Sequence, residues 1–138
     1  MHSAKGRVHS IVVGLVGDLG SGKTTFVQGM AEGLGVKVRI LSPTFVIMRN
    51  YQISNTKLQT NSKFPNSNVK NLYHVDLYRL EGDLRGEVEN LGLRDIWSEP
   101  GNIVVIEWAE KIRGVLPKNT IWVDFEYVDG GRKIKIWQ

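Results

Sequence analysis

The first strong pattern along the chain is a short apolar run followed by a segment with helical spacing. Residues 11–16 are apolar apart from one glycine, which is typical of a strand buried on both faces. Within residues 24–34, Phe26 and Met30 lie one helical turn apart on an apolar stripe, and this spacing predicts a helix. Gly29 lies inside that helix, where glycine is about 1 kcal/mol less favourable than alanine. We therefore expect Gly29 to mark a close approach of the helix to a sheet.

The rest of the chain alternates between extended segments and one helical segment. Leucine and valine at helical spacing predict a helix over 84–93 that ends near Gly92. Residues 52–71 are rich in Asn, Ser, Thr and Lys, and we interpret them as a long surface loop between hairpin partners. Alternation or short apolar runs predict further strands at 36–40, 45–51, 72–77, 103–106, 120–125 and 133–137. Together these elements predict a single α/β domain, residues 1–138, with a mixed, partly antiparallel sheet.

Composition narrows the class of protein without choosing a function. With 138 residues and 41% hydrophobic content, the chain suits one globular domain. It contains no cysteine, which excludes a disulfide framework and a thiolate metal site. No apolar run reaches about 18 residues and no apolar signal segment is present, so we expect a cytoplasmic protein without membrane association. The net charge of +4 is compatible with a polyanionic partner, but the basic residues are spread out and suit an ordinary solvated surface equally.

The strongest chemical signal is the sequence G-D-L-G-S-G-K-T at residues 17–24, between the first strand and the helix. A strand, G-x-x-x-x-G-K-[ST] and a helix in this order form the Walker A motif. Its glycines turn backbone N–H groups toward phosphate oxygens, and the helix N-terminus adds positive potential. Lys23 would reach the β- and γ-phosphates, and the Thr24 hydroxyl would bind Mg²⁺. A plain strand-to-helix turn does not require this pattern, so we predict a P-loop NTPase-like three-layer sandwich.

Nucleotide hydrolysis also requires a carboxylate near the metal, and two acidic residues end predicted strands. Glu107 closes the buried run 103–106, at the carboxyl end of a strand where ligand-binding residues gather. A capping or surface-pairing glutamate is the plainer alternative. Asp76 lies near the end of the strand over 72–77, and on spacing alone an exposed acid on an edge strand is nearly as good an interpretation.

Three other residues near these motifs have weaker signals. Thr44 follows Ser42-Pro43 in a segment that would have to approach the γ-phosphate to act, and spacing alone gives this little support. His74 we interpret as a packed strand residue rather than a catalyst. Trp108 we interpret as core or pocket wall.

Taken together, four motifs resemble those of the TsaE family, ATPases of tRNA threonylcarbamoyladenosine biosynthesis. In chain order they are G-D-L-G-S-G-K-T-T-F at 17–26, S-P-T-F at 42–45, H-V-D-L-Y-R-L at 74–80 and I-E-W at 106–108. Many NTPases share the first motif, whereas the combination is much more specific. The resemblance implies a Mg²⁺-dependent ATPase, weak alone and stimulated by the TsaD–TsaB complex. It also implies that the chain reaches tRNA only indirectly, through that complex.

The same resemblance implies roles for individual residues. Mg²⁺ would be held by Thr24 and Glu107, and Asp76 and Thr44 would be further active-site polar residues beside Lys23. ATP would contact residues of the loop and one residue in the R-x-I-x-I pattern of the tail, namely Leu19, Gly20, Ser21, Gly22, Lys23, Thr24, Thr25 and Arg132.

The sequence departs from the family pattern in two places. TsaE proteins usually begin with a helix that carries T-x-x-L-G and helps to cover the nucleotide, and this pattern is absent here. Two interpretations stay open, a truncated chain or a site that is more open on its adenine side. The loop at 52–71 is also longer than is usual in the family, and we expect it to affect partner docking.

Two functions of other classes compete with the accessory ATPase. A small-molecule kinase would use the same loop but needs an acceptor site and usually an arginine-rich lid. The loop at 52–71 contains three lysines and no arginine, which disfavours such a lid. A non-enzymatic RNA-binding module would suit the basic charge, but the aromatic residues are not interleaved with basic ones as in a stacking platform.

Overall fold

The computed structural model describes residues 10–18, 20–37, 39–40, 47–53 and 69–138. Within these ranges the strands are β1 Ile11–Gly17, β2 Met48–Gln52, β3 Asn71–Asp76, β4 Asn102–Glu107, β5 Ile121–Val128 and β6 Gly131–Trp137. The α-helices are α1 Lys23–Gly33, α2 Arg85–Asn90 and α3 Leu93–Ser98, and a 3₁₀ segment covers Ala109–Val115.

The strands form one mixed sheet in the order β2-β3-β4-β1-β5-β6. β3, β4, β1 and β5 run parallel, and the two outer strands are antiparallel hairpin partners of β3 and β5. Because parallel strands end at the same edge of a sheet, the loop after β1 lies beside the ends of β3 and β4. The register places Asp76 opposite Glu107, and Glu107 opposite Leu15.

Each face of the sheet carries its own apolar cluster. On one face, Val27 and Ala31 of α1 are fully buried in a cluster with Leu15 and Val105 of the sheet. On the other face, α2, α3 and the 3₁₀ segment cover the sheet through buried residues that include Val88, Leu93, Trp97 and Ile112. Burying one such side chain stabilises the fold by about 1.5–3 kcal/mol. Helices on both faces confirm the predicted α/β sandwich with a partly antiparallel sheet.

The strand predicted at 36–40 is wrong for the described part of that segment, because residues 36, 37, 39 and 40 lie outside the sheet. The Val36 N–H donates to the Ala31 carbonyl (2.9 Å), and the Ile40 N–H donates to Gln28 Oε1 (2.8 Å). These two N–H groups are therefore bonded to residues of α1 and are not available to pair with a neighbouring strand. Both apolar side chains still reach the core beside α1, which explains the alternation in the sequence.

The expectation that Gly29 marks close packing is also wrong. A methyl group built on Gly29 would meet no atom within 4 Å, and the residue is exposed. A glycine that neighbouring side chains do approach closely is Gly14 in β1. A methyl group on Gly14 would lie 2.9 Å from the Trp122 ring and 3.0 Å from Ala109 Cβ. Gly14 thus lets these two residues pack directly on β1.

The long loop is narrower than the predicted 52–71. Gln52 belongs to β2 and Asn71 begins β3, and the Ile53 N–H donates to the Lys70 carbonyl at 2.8 Å. The two strands are hairpin partners, as predicted. Residues 54–68 lie outside the described part of the chain.

The helix predicted over 84–93 corresponds to α2, which ends before Gly92. Gly92 has a φ of 70°, a left-handed conformation that glycine adopts readily at helix ends. Helix α3 begins directly after it and was not predicted. None of the described helices is long and apolar enough to cross a membrane.

Candidate nucleotide-binding site

Three glycines shape the loop between β1 and α1. Gly17, Gly20 and Gly22 have φ values of 152°, 77° and 104°, which residues with side chains rarely adopt. A methyl group on Gly17 would lie only 2.7 Å from the Phe125 carbonyl oxygen of β5. The Ser21 N–H donates to the Asp18 carbonyl at 3.1 Å and closes the turn. The glycines therefore let the backbone bend tightly between β5 and the start of α1. Leu19 lies outside the described residues.

The N-terminus of α1 has the features of an anion site. The first N–H groups of a helix have no acceptor within the helix, and no side chain caps this end. The first turn also contains no acidic residue. The Ser21 hydroxyl is buried and has no hydrogen-bond partner. Phosphate oxygens would satisfy these donors, so the loop suits the group that the motif predicts. Thr25 lies exposed in the same turn.

Lys23 lies inside the site rather than in solvent. Its side chain is buried, with the residue only 4% exposed. Its Nζ donates to the Gly17 carbonyl and lies 3.8 Å from the centroid of the Trp108 ring. Burial lowers the pKa of Lys23, while Glu107, Glu110, Asp76 and Asp18 raise it by a smaller amount. The Lys23 ammonium group is thus partly desolvated, and its hydrogen bond to the Gly17 carbonyl holds it over the loop.

Trp108 covers this lysine because of an unusual backbone conformation. Its φ is 63°, the only positive value at a non-glycine residue in the described part of the chain. Such strain is concentrated at functional sites. The Trp108 N–H donates to the Leu15 carbonyl at 3.1 Å, and the ring packs at 5.3 Å from that of Tyr78. The sequence left core and pocket wall open for Trp108, and the structure shows it packed against the apolar core with its ring beside Lys23.

Glu107 joins the loop to the neighbouring strands. It is 3% exposed, and its Oε2 accepts hydrogen bonds from Thr24 Oγ1 (3.3 Å) and His74 Nε2 (2.6 Å). The two residues that the sequence assigned to Mg²⁺, Thr24 and Glu107, are therefore in contact. Among the described residues, no group of three or more acidic or histidine side chains is arranged to hold a metal ion. Mg²⁺ often binds through one or two protein oxygens together with phosphates and water, and this pair suits such a site.

Asp76 lies at the same edge of the sheet and is half-buried. It lies directly opposite Glu107 in the β3–β4 register, and it contributes to the electrostatics of Lys23. Its Oδ1 accepts a hydrogen bond from the Tyr78 N–H at 3.0 Å. The chain after Asp76 is held by Lys111, whose Nζ donates to the carbonyls of Leu77, Tyr78 and Leu80 at 3.1, 2.9 and 2.7 Å.

The β5–β6 hairpin contacts the opposite side of the loop. The Tyr127 hydroxyl donates to the Gly20 carbonyl. The guanidinium of Arg132 lies against Gly22, since a methyl group there would be 3.0 Å from Arg132 Nη1. Arg132 also lies 5.6 Å from the Tyr127 ring, directly across the hairpin. The structure thus places Arg132 beside the loop, where the contact with ATP that the resemblance implies stays a prediction, and it adds Tyr127, which the sequence did not single out.

The predicted site residues that the structure describes thus gather at one edge of the sheet, while Leu19 and Thr44 lie outside the described residues. His74 is a packed strand residue, as the sequence indicated, but its contact with Glu107 was not predicted. A signal for it existed, because His74 and Asp76 alternate on one strand and so share a face. Because β3 and β4 are parallel and in register, Glu107 lies on that same face.

Comparison with known proteins identifies the family. Residues 2–134 match the family described as threonylcarbamoyl adenosine biosynthesis protein TsaE. The chain belongs to the TsaE family. The resemblance inferred from the four motifs is therefore confirmed.

Individual relatives agree with this assignment. The chain is 38% identical over 127 residues to a protein of Haemophilus influenzae, and 39% identical over 112 residues to one of Bacillus subtilis. Both relatives are named tRNA threonylcarbamoyladenosine biosynthesis protein TsaE. The matches cover 92% and 81% of this chain but 70% and 59% of the relatives. Among solved structures, Bacillus subtilis YdiB is similar with a TM-score of 0.59 and 32% identity, covering 92% of this chain and 67% of YdiB.

Proposed function

We propose that this chain binds and hydrolyses ATP and acts as an accessory protein in the threonylcarbamoyladenosine modification of tRNA. We further propose that it works in the cytoplasm with the TsaD–TsaB complex and meets tRNA only through that complex. The observation that supports this best is the contact between Thr24 and Glu107 (3.3 Å) beside the glycine loop. A phosphate cradle alone supports nucleotide binding, whereas a hydroxyl and a buried carboxylate at its edge suit a metal-dependent reaction.

Each residue of the site would have its own role in binding and hydrolysis of ATP. The free N–H groups of the loop and α1 would bind the phosphates, and Lys23 would leave the Gly17 carbonyl for the β- and γ-phosphates. Thr24 and Glu107 would hold Mg²⁺, which when bound neutralises charge that develops on the phosphates. Trp108 would exclude water from the lysine side of the site. Arg132 and Thr25 would contact the nucleotide from the exposed side, and Asp76 and Thr44 would be further polar groups of the reaction.

Slow turnover by the isolated chain is part of the proposal. A stabilising arginine supplied by a partner accelerates phosphoryl transfer by a factor of about 10³–10⁵ in other P-loop proteins. ATP hydrolysis measured on the chain alone should therefore be weak, and purified TsaD and TsaB should increase it. Rapid hydrolysis without any partner would contradict the accessory role. Phosphorylation of a nucleoside or sugar in a substrate screen would favour the kinase instead.

The partnership has its own experiment. A tagged form of the chain should retain TsaD and TsaB in a pull-down, and retention should differ between buffers with and without ATP. The same chain with Lys23 replaced by alanine is the matched control, because it should not respond to ATP. If neither protein is retained in any buffer, the proposed partnership is wrong, even if ATP binding is intact.

A further inference from the structure

We propose that His74 is a positioning residue that fixes the Glu107 carboxylate toward Thr24 and thereby determines how strongly Mg²⁺ tightens nucleotide binding. This inference rests on the proposed function of the site. Its basis is the shared oxygen Oε2 of Glu107, which accepts from His74 Nε2 at 2.6 Å and from Thr24 Oγ1 at 3.3 Å. The shorter contact is the stronger one, so the imidazole has the larger influence on where the carboxylate lies.

Burial shows that this contact is more than incidental. His74 is 0% exposed and Glu107 is 3% exposed, so each polar group needs a partner to offset its desolvation. His74 Nδ1 is buried without a hydrogen-bond partner. The carboxylate is therefore the polar partner of this ring among the described residues. If packing alone determined this position, an apolar side chain like that of Leu72, two residues earlier on the same face, would avoid the unpaired nitrogen.

The neighbouring strand explains why Glu107 needs a donor at this place. Asp76 lies directly opposite Glu107 in the β3–β4 register, and like charges in opposite positions repel each other. His74 lies one step back along β3 on the same face and offers an N–H in place of a negative charge. The hydrogen bond thus holds the carboxylate on the α1 side of the sheet, where the Thr24 hydroxyl lies. Groups that orient a metal ligand in this way typically change metal affinity about 10–100-fold when removed.

The test compares nucleotide affinity with and without the metal. We would measure the Kd of a fluorescent ADP analogue in Mg²⁺ and in EDTA, for the unmodified chain and for His74→Leu and His74→Gln. Glutamine can place an amide N–H near the position of Nε2, whereas leucine fills volume without a donor. We expect the Kd of His74→Leu in EDTA to stay within about twofold of that of the unmodified chain. The ratio of the Kd in EDTA to the Kd in Mg²⁺ should fall about tenfold in this variant. His74→Gln should keep most of that tightening.

A core substitution on the same strand separates positioning from stability. Val75 is also 0% exposed but contributes to the cluster on the opposite face. Val75→Ala should lower the melting temperature and leave the ratio of the two Kd values unchanged. Equal loss of the ratio in Val75→Ala and His74→Leu would overturn the proposal, and so would an unchanged ratio in His74→Leu.

Two further measurements complete the test. The double variant His74→Leu with Glu107→Gln should show the same ratio as Glu107→Gln alone, because both changes act through one carboxylate. A ratio that is lower in the double variant than in Glu107→Gln alone would contradict the proposal. Imidazole ¹⁵N spectra of the unmodified, metal-free chain should show Nε2 of His74 carrying a proton, and an unprotonated Nε2 would also overturn it. A chain that binds no nucleotide in either buffer would instead refute the proposed function itself.

Discussion

The two sides of the glycine loop at residues 17–24 are held in different ways. On the β4 side, Lys23 and Glu107 are 4% and 3% exposed, and their contacts are shielded from water. On the β6 side, Tyr127 is 56% exposed and Arg132 lies on the surface. Charge interactions are much stronger in a buried environment than at the surface, where water and salt screen them. Under the proposed function, the β4 side would control phosphate and metal binding, and the β6 side would adjust the shape of the loop.

Strand direction explains why the two sides differ. β4 is parallel to β1 and flanked by β3, so Glu107 ends at the edge where the loop begins and is covered on both sides. β6 is antiparallel and lies at the end of the sheet, and Arg132, the second residue of β6, is exposed there. Protein atoms therefore surround Glu107 on the β4 side, whereas Tyr127 and Arg132 on the hairpin side are largely exposed to solvent.

The largest expected effect comes from removing the buried cation. Lys23→Met should weaken binding of ATP by about 100-fold, since charge-assisted hydrogen bonds contribute about 1.5–3 kcal/mol each. Titration calorimetry with ATP measures this loss. Arg132→Ala, which removes a cation from the exposed side, is the matched comparison and should cost less than tenfold. Equal losses for the two variants would contradict the proposed difference between the sides.

The same lysine also gives a pH dependence with a defined sign. Burial lowers the pKa of Lys23 below its ordinary value of 10.5, so the folded chain disfavours the protonated lysine relative to the unfolded chain. This difference reduces stability at neutral pH, and the reduction disappears as pH rises toward 10.5. Lys23→Met should therefore melt no lower than the unmodified chain at pH 7, and its relative advantage should shrink at higher pH. A variant that melts well below the unmodified chain at pH 7 would show that the charged lysine stabilises the fold.

The next effect tests the backbone of the loop. Gly17→Ala should lower the free energy of unfolding by about 1–3 kcal/mol, because its methyl group would lie 2.7 Å from the Phe125 carbonyl and must displace backbone. ATP affinity should fall together with stability, since the cradle shifts. Urea unfolding and ATP titration of the same preparation measure both. If Gly17→Ala is destabilised but binds ATP as tightly as the unmodified chain, phosphate binding does not depend on this loop conformation.

The opposite result is expected at a glycine away from the loop. Gly29 lies in α1, is exposed, and would accept a methyl group with no atom within 4 Å. Gly29→Ala should raise the free energy of unfolding by about 0.5–1 kcal/mol through helix propensity and chain entropy. ATP affinity should stay unchanged. A loss of stability in urea unfolding would mean that the helix does pack closely at this position.

These two glycines also show what sequence patterns predict well. The Walker A pattern specified the functional glycines, because a positive φ and close backbone approach leave little choice of residue. Gly29 fits no such pattern, and only the three-dimensional packing shows that the close contact lies at Gly14. Likewise the apolar runs at 11–16 and 103–106 predicted the parallel strands β1 and β4. The segment 36–40 alternates like a strand, but α1 accepts hydrogen bonds from its Val36 and Ile40 N–H groups. The contacts that His74 and Tyr127 make with Glu107 and Gly20 were not predicted, because these partners lie far away in the sequence.

The smallest expected effect concerns a single exposed hydrogen bond. Tyr127→Phe removes the hydroxyl that donates to the Gly20 carbonyl but keeps the ring beside Arg132. A neutral hydrogen bond contributes about 0.5–1.5 kcal/mol, and an exposed one lies near the lower limit because water replaces it. We expect ATP affinity to fall about two- to threefold and the melting temperature to fall by at most a few degrees. Val128→Ala, at the neighbouring exposed position, should leave ATP affinity unchanged in the same titration. A tenfold loss in Tyr127→Phe would mean that the hairpin holds the loop as firmly as the buried side does.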